Sequence, residues 1–265
     1  MSTTVTLLAL ALGLGRADAL TLANVRTTYS VSGPTRPDNK ILPGDLVVLS
    51  FDIEGAKVND AGKVLYSIAL EVGNPSGKVL FRQAPKDMEA PLPPGAKSLA
   101  AAARVQVGFS QDPGEYTLKV KVTDRASGAT GEVSRRYELL PRGFGIVRLS
   151  TTTDQQAQKP VVAFQRGTSF WINFSVVDFE RSKTTGQPDV VAEMQVRNQQ
   201  GRELLPKPST GECKKDVPDK APAVPLQFEL ELNRPGTFTI DLKATDKISG
   251  KTASLSFPVT IPNPR

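Results

Sequence analysis

The sequence predicts an all-β chain built as two tandem antiparallel β-sandwich modules. Three observations carry this. Apolar residues alternate with period two through most of the chain, the three-four spacing of helices is nearly absent, and the same punctuation returns after about 123 residues. The repeat has three landmarks. Leu42-Pro43-Gly44 before one apolar run matches Gln165-Arg166-Gly167 before another, and Asn74-Pro75-Ser76-Gly77-Lys78 matches Asn198-Gln199-Gln200-Gly201-Arg202. The strongest pair sets Pro113-Gly114-Glu115-Tyr116-Thr117-Leu118 beside Pro235-Gly236-Thr237-Phe238-Thr239-Ile240, each followed at equal distance by Thr-Asp and Ser-Gly. These matches indicate two modules, 20–140 and 141–265, meeting at Pro141-Arg142-Gly143 and preceded by a leader, 1–19, set apart by its own pattern.

Strands are read in the first half near Leu22 and over 46–53, 64–72, 79–81, 104–108, 114–123 and 130–139. Val47, Leu49, Phe51 and Ile53 share one face. Tyr116, Leu118, Val120 and Val122 do likewise, while Thr117, Lys119, Lys121 and Thr123 face water; Phe238, Ile240, Leu242 and Ala244 repeat the inward set. Only 97–104, with its alanines Ala100 to Ala103, favours a helix, of one or two turns. The proline-rich stretches 85–94 and 206–225 occupy matching places and read as long loops, either crossing between sheets or carrying contacts. Seven antiparallel strands in roughly 120 residues make a sandwich.

Asp112-Pro113-Gly114-Glu115-Tyr116-Thr117-Leu118 resembles the tyrosine corner of immunoglobulin-like domains, with Leu118 where antibody domains place a cysteine. Phe238 stands at the matching position of the second half, without the hydroxyl. Lacking the inter-sheet cysteines, the chain is similar to the disulfide-free Ig-like and fibronectin-III-like modules of secreted bacterial proteins. That resemblance implies two seven-stranded Ig-like sandwiches and transfers no active site.

The apolar run from Val5 to Leu14, ending in Ala17-Asp18-Ala19, has the form of a cleavable secretory signal peptide, although Met1-Ser2-Thr3-Thr4 carries no basic residue. No other run has the length of a membrane helix. The chain has 33 Lys and Arg against 27 Asp and Glu, a net charge of +6, no histidine and a single cysteine. Imidazole catalysis, zinc-histidine sites, intrachain disulfides and CxxC chemistry are therefore excluded. The positive excess is spread along both halves, and no aromatic-interleaved basic platform points to nucleic acid.

Alternation places Trp171, the only tryptophan, on an outer strand face with Asn173 and Ser175, where it either stacks on a ligand or lies under a neighbour. Lys214 and Lys215, beside Cys213, mark the exposed tip of the second proline-rich loop as a further contact. Asp124 with Gly128, and Asp246 with Gly250, read as turn-closing pairs: the carboxylate binds turn backbone and the glycine takes positive φ. Calcium is the alternative for those loops, but each has one nearby acid. No cofactor is expected. The functional expectation is a monomeric, non-enzymatic, secreted binding or spacer protein of the periplasm or cell surface, its partner a protein or an envelope polysaccharide. A carbohydrate-binding module using Trp171 is the alternative, with a periplasmic assembly chaperone ranked below it.

Overall fold

Every regular element among residues 20–263, which the computed structural model describes, is a β-strand. The expected leader, 1–19, lies outside the described residues. In the first half, β1 (Thr21–Thr28), β3 (Leu46–Glu54) and β6 (Ser98–Gln106) form a sheet ordered β1-β3-β6. Facing it, β2 (Lys40–Ile41), β4 (Lys63–Gly73), β5 (Val79–Pro91), β7 (Gly114–Asp124) and β8 (Thr130–Leu139) are ordered β2-β8-β7-β4-β5. In the second half, β9 (Gly145–Thr152), β10 (Ser169–Val177) and β13 (Ala223–Glu231) are ordered β13-β10-β9. Their facing sheet is β12-β11-β14-β15, from β11 (Val190–Arg197), β12 (Ser209–Cys213), β14 (Gly236–Asp246) and β15 (Thr252–Ile261).

Two expectations are corrected. The alanine-rich stretch 97–104 is not helical: Ser98 to Gln106 pairs residue for residue with Glu54 to Leu46. Alanine's helix propensity is a weak local preference, and nine residues of ladder against a buried strand override it. Nor is 85–94 a loop, because β5 runs through Pro85, accommodated where the ladder to β4 shifts register between Ile68 and Leu70. An edge strand at a bulge is where a residue without an N–H is tolerated. The second proline-rich stretch likewise contains β12 and the start of β13.

Each half has a core filled from both of its sheets. In the first, Leu49, Phe51 and Ile53 of β3 meet Ile68 and Leu70 of β4 and Leu118 and Val120 of β7. The second core joins Ile172 and Phe174 of β10 to Met194 of β11 and Ile240 and Leu242 of β14. At the first half's lower corner, the Tyr116 hydroxyl donates to the Asp112 carbonyl at 2.6 Å, and its ring stacks on Tyr137 with centroids 5.6 Å apart. Removing only that hydroxyl, in Tyr116→Phe, should cost about 1 kcal/mol, the net worth of one such bond. Urea unfolding checks it; equal stability would mean that the corner bond contributes nothing.

The repeat extends to individual atoms. Asn74 Oδ1 accepts from the Lys78 N–H and Asn198 Oδ1 from the Arg202 N–H, both at 2.9 Å. Asp124 and Asp246, both fully buried, hold matching turns. Asp124 accepts from the N–H of Lys57 (2.9 Å) and Ala126 (2.8 Å) and from the Ser127 hydroxyl (2.6 Å). Asp246 accepts from the N–H of Glu180 (2.9 Å) and Ile248 (3.0 Å) and from the Ser249 hydroxyl (2.6 Å). Gly128 and Gly250 close those turns at φ of 76° and 75°, a region that a side chain would strain.

The two halves share no β-ladder, yet they are locked together. Asp45, 3% exposed, is the centre of the joint. Its carboxylate forms an ion pair with Arg36 and accepts the N–H of Leu46 (2.8 Å) and, from the second half, of Arg148 (2.7 Å). The Arg148 Nε–H donates to the Gly44 carbonyl at 2.8 Å. Arg36 lies 4.4 Å over the Tyr29 ring, and Tyr29, a first-half residue, is buried in the second half's core. Gly145 presses on Leu42 so closely that a Cβ there would collide. This joint is built once. Gly44 and Gly167 donate to the carbonyls of Val107 and Leu232, which aligns Asp45 with Thr168 and Phe109 with Arg234. The far end of the second half therefore lacks the acid and the ring of the joint, where the Arg148 guanidinium lies 5.6 Å over Phe109.

Candidate binding face at the joint

Strand β10 is the middle strand of its sheet, and its alternation buries Phe170, Ile172, Phe174 and Val176 while Trp171, Asn173 and Ser175 stay half-exposed on the other face. Trp171 is half-buried between Thr152 of β9 and Glu229 of β13, its partners across the two ladders. Two residues along, the Asn173 amide N–H donates to the Thr152 hydroxyl at 2.9 Å, which donates on to the Asp154 carbonyl at 2.8 Å. The Asp154 carboxylate in turn accepts the N–H of Lys159 at 2.7 Å. That relay fixes the loop after β9 as a wall above the sheet.

Between this wall and the outer faces of β10 and β13 lies a groove of about 360 Å³ lined by Arg148, Gln155, Asn173, Ser175 and Gln227, among others. An extra residue in β9 produces it. The ladder shifts between Asn173 and Ser175, and Arg148 sits at the bulge with φ of 56°, a conformation that a non-glycine residue holds only under tertiary constraint. The constraint is the joint, which takes the Arg148 N–H and Nε–H and leaves its two Nη groups with no protein acceptor among the described residues. The groove therefore sets the amides of Gln155, Asn173 and Gln227 and the Ser175 hydroxyl among the apolar surfaces of Ala157, Pro225 and Leu226, suited to a ligand that offers carbonyl or hydroxyl groups together with an apolar face.

Trp171, Asn173 and Ser175 thus share one face, with Asn173 and Ser175 in the groove and Trp171 beside it. Lys214 and Lys215 do not join them, since they follow β12 in the opposite sheet. Lys214 pairs with Glu212 (2.9 Å) and approaches Asp189 (3.9 Å); the hydrogen bond it donates to Glu212, with both negative charges, raises its pKa. Cys213 is the last residue of β12, packed half-buried against the core rather than at a loop tip, and burial pushes its thiol pKa up. A thiol so placed is a poor nucleophile. Among the described residues no group of three or more acidic or cysteine side chains could hold a metal ion. Asp124 and Asp246 spend both carboxylate oxygens on protein donors. Arg148, Gln155 and Gln227 carry no signal in the sequence, because a bulge and a loop wall bring them together.

Neither a protein-family model nor a curated protein sequence matches the chain. Among solved structures, the C-terminal domain of the Streptococcus agalactiae antigen I/II polypeptide BspA matches at 9% identity and a TM-score of 0.26, over 89% of this chain and 99% of that one. The C-terminal domain of the Streptococcus pyogenes antigen I/II-family protein AspA matches at 8% identity and a TM-score of 0.28, over 92% of this chain and 100% of that one. A likeness this weak sets neither the topology nor the role of this chain.

Proposed function

We propose that the chain is a secreted, non-enzymatic binding and spacer protein of the periplasm or cell surface, made of two tandem Ig-like sandwiches, 20–140 and 141–265. One observation carries the reading: Arg148 belongs both to the joint and to the groove. The lock that fixes the angle between the sandwiches also shapes the grooved face beside it, as a rigid arm presenting a contact surface requires. No helix among the described residues is long and apolar enough to cross a membrane. The test is retention of envelope polysaccharide or extracytoplasmic protein by the immobilised protein. Retention through high salt is the expected result; release of everything at moderate salt would reduce the interaction to the +6 charge.

The half-buried Trp171 beside an amide-lined groove favours a glycan as the second reading. Trp171→Ala should then weaken glycan binding about tenfold, the equivalent of one stacking contact, while leaving the fold intact. Glycan titrations with circular dichroism on both proteins check it, and unchanged glycan affinity would remove this reading.

A further inference from the structure

Strand β5 is the edge of the five-stranded sheet, and its thirteen residues are exposed almost throughout. Its counterpart in the second half, β12, is five residues long and packs against β13 of the facing sheet, whereas β5 makes its main contacts with β4. Four of the large apolar residues left exposed lie on β5: Val79, Leu80, Phe81 and Met88, at 42%, 48%, 46% and 39%. A long, free, apolar edge is a template for pairing with another strand.

The register to β4 shows which face each residue takes. Phe81, Gln83, Lys86 and Met88 stand opposite the buried Val72, Leu70, Ile68 and Tyr66 and so share the inner face; Arg82 and Asp87, opposite Glu71 and Ser67, share the outer face. The bulge at Ala84 and Pro85 lies midway between the two sets. Turning a second β5 about a two-fold axis through that midpoint sets Phe81 opposite Met88 and Gln83 opposite Lys86 on the inner face. On the outer face the same turn sets Arg82 opposite Asp87. Apolar meets apolar and positive meets negative, each pair occurring twice. The present partners of these charges, Glu71 for Arg82 and Arg125 for Asp87, are exposed surface pairs of small worth, free to re-pair.

We propose that the occupant of this edge is a second copy of the chain, joined by antiparallel β5 to β5 pairing about a two-fold axis. The pairing satisfies the free edge groups of both copies and consumes both edges, so it closes at two subunits. Pro85, at the axis, keeps the ladders short. The resulting dimer stands against the monomer that the sequence reading favours, and it presents two grooves.

Sedimentation equilibrium of the purified protein from about 1 to about 500 µM tests it. The wild type should pass from monomer to dimer in that range. Arg82→Asp sets acid against acid, Asp87→Arg sets base against base, and each should raise the dissociation constant at least about tenfold, the scale of two lost charge pairs per dimer. The double variant restores opposite charges and should return to near the wild-type constant. Circular dichroism and melting temperature verify that each variant is folded. A monomer at all concentrations, dimerisation indifferent to both single changes, or a double variant as weak as the singles would each overturn the proposal.

Discussion

Asp45→Ala should cost about 3–5 kcal/mol and release the angle between the two halves. The side chain of Arg36 is 6% exposed, so removing the carboxylate leaves a buried guanidinium with no counter-charge, the costly half of breaking a buried pair. The N–H groups of Leu46 and Arg148 lose their acceptor at the same time. With its N–H released, Arg148 keeps the Gly44 carbonyl, the Phe109 ring and the ladder on either side of its bulge but loses the charged acceptor of its backbone, and the groove loosens with the joint. Two measurements separate these effects. Urea unfolding reads the stability, and small-angle scattering reads the angle, which should broaden from one arrangement into a distribution. Asp45→Asn keeps an acceptor for the two N–H groups but not the charge, so it should fall between. Wild-type scattering from Asp45→Ala would mean that the buried apolar contacts of Tyr29, and not the ion pair, set the angle.

The strand pattern was legible because alternation is a local property: the inward sets of β3, β7 and β14 can be counted along the chain. The matching turns at Asn74 and Asn198 were legible too, since Asn and Gly at fixed spacing encode one conformation. What alternation cannot show is where a strand ends when no partner covers it. β5 looked like three residues because its sequence is exposed on both faces, and an edge strand needs only one neighbour's ladder, whatever its own pattern. The alanines of β6 failed for the opposite reason, having a strong local preference for a structure that the sheet denies them. The joint and the groove were illegible for a third reason. Tyr29, Arg36, Asp45, Phe109 and Arg148 are spread over most of the first half of the chain and into the second, and only folding assembles them. One trace was present. At the joint the repeats stop matching: the Leu42-Pro43-Gly44 and Gln165-Arg166-Gly167 landmarks set Asp45 against Thr168, and a departure from a repeat marks a surface that one copy uses alone.

Where the repeats agree most closely, the two halves should fail alike, and in a way that depends on pH. Asp124→Ala and Asp246→Ala each remove a buried acceptor from two N–H groups and a serine hydroxyl, and each should cost about 3 kcal/mol near neutral pH. Burial alone would raise the pKa of either carboxyl. The donors outweigh it, the serine hydroxyl first and the backbone N–H groups after, and the result lies below the ordinary 3.8. A folded-state pKa below the unfolded one means that, between the two values, the unfolded chain binds more protons. The stability from these carboxylates is therefore present above the ordinary value and is lost as the pH falls through the lower folded values. The diagnostic is a narrowing gap: the difference in unfolding free energy between wild type and each variant should hold from neutral pH to about pH 5 and shrink below 3.8, as the wild type loses what the variants already lack. Urea unfolding at pH 7 and at pH 3 reads both points. A gap of equal size at both would mean that the turns are held by packing, with the carboxylate charge contributing nothing. A gap for Asp124 much larger than for Asp246 would mean that matching bonds do not carry matching energy in the two halves.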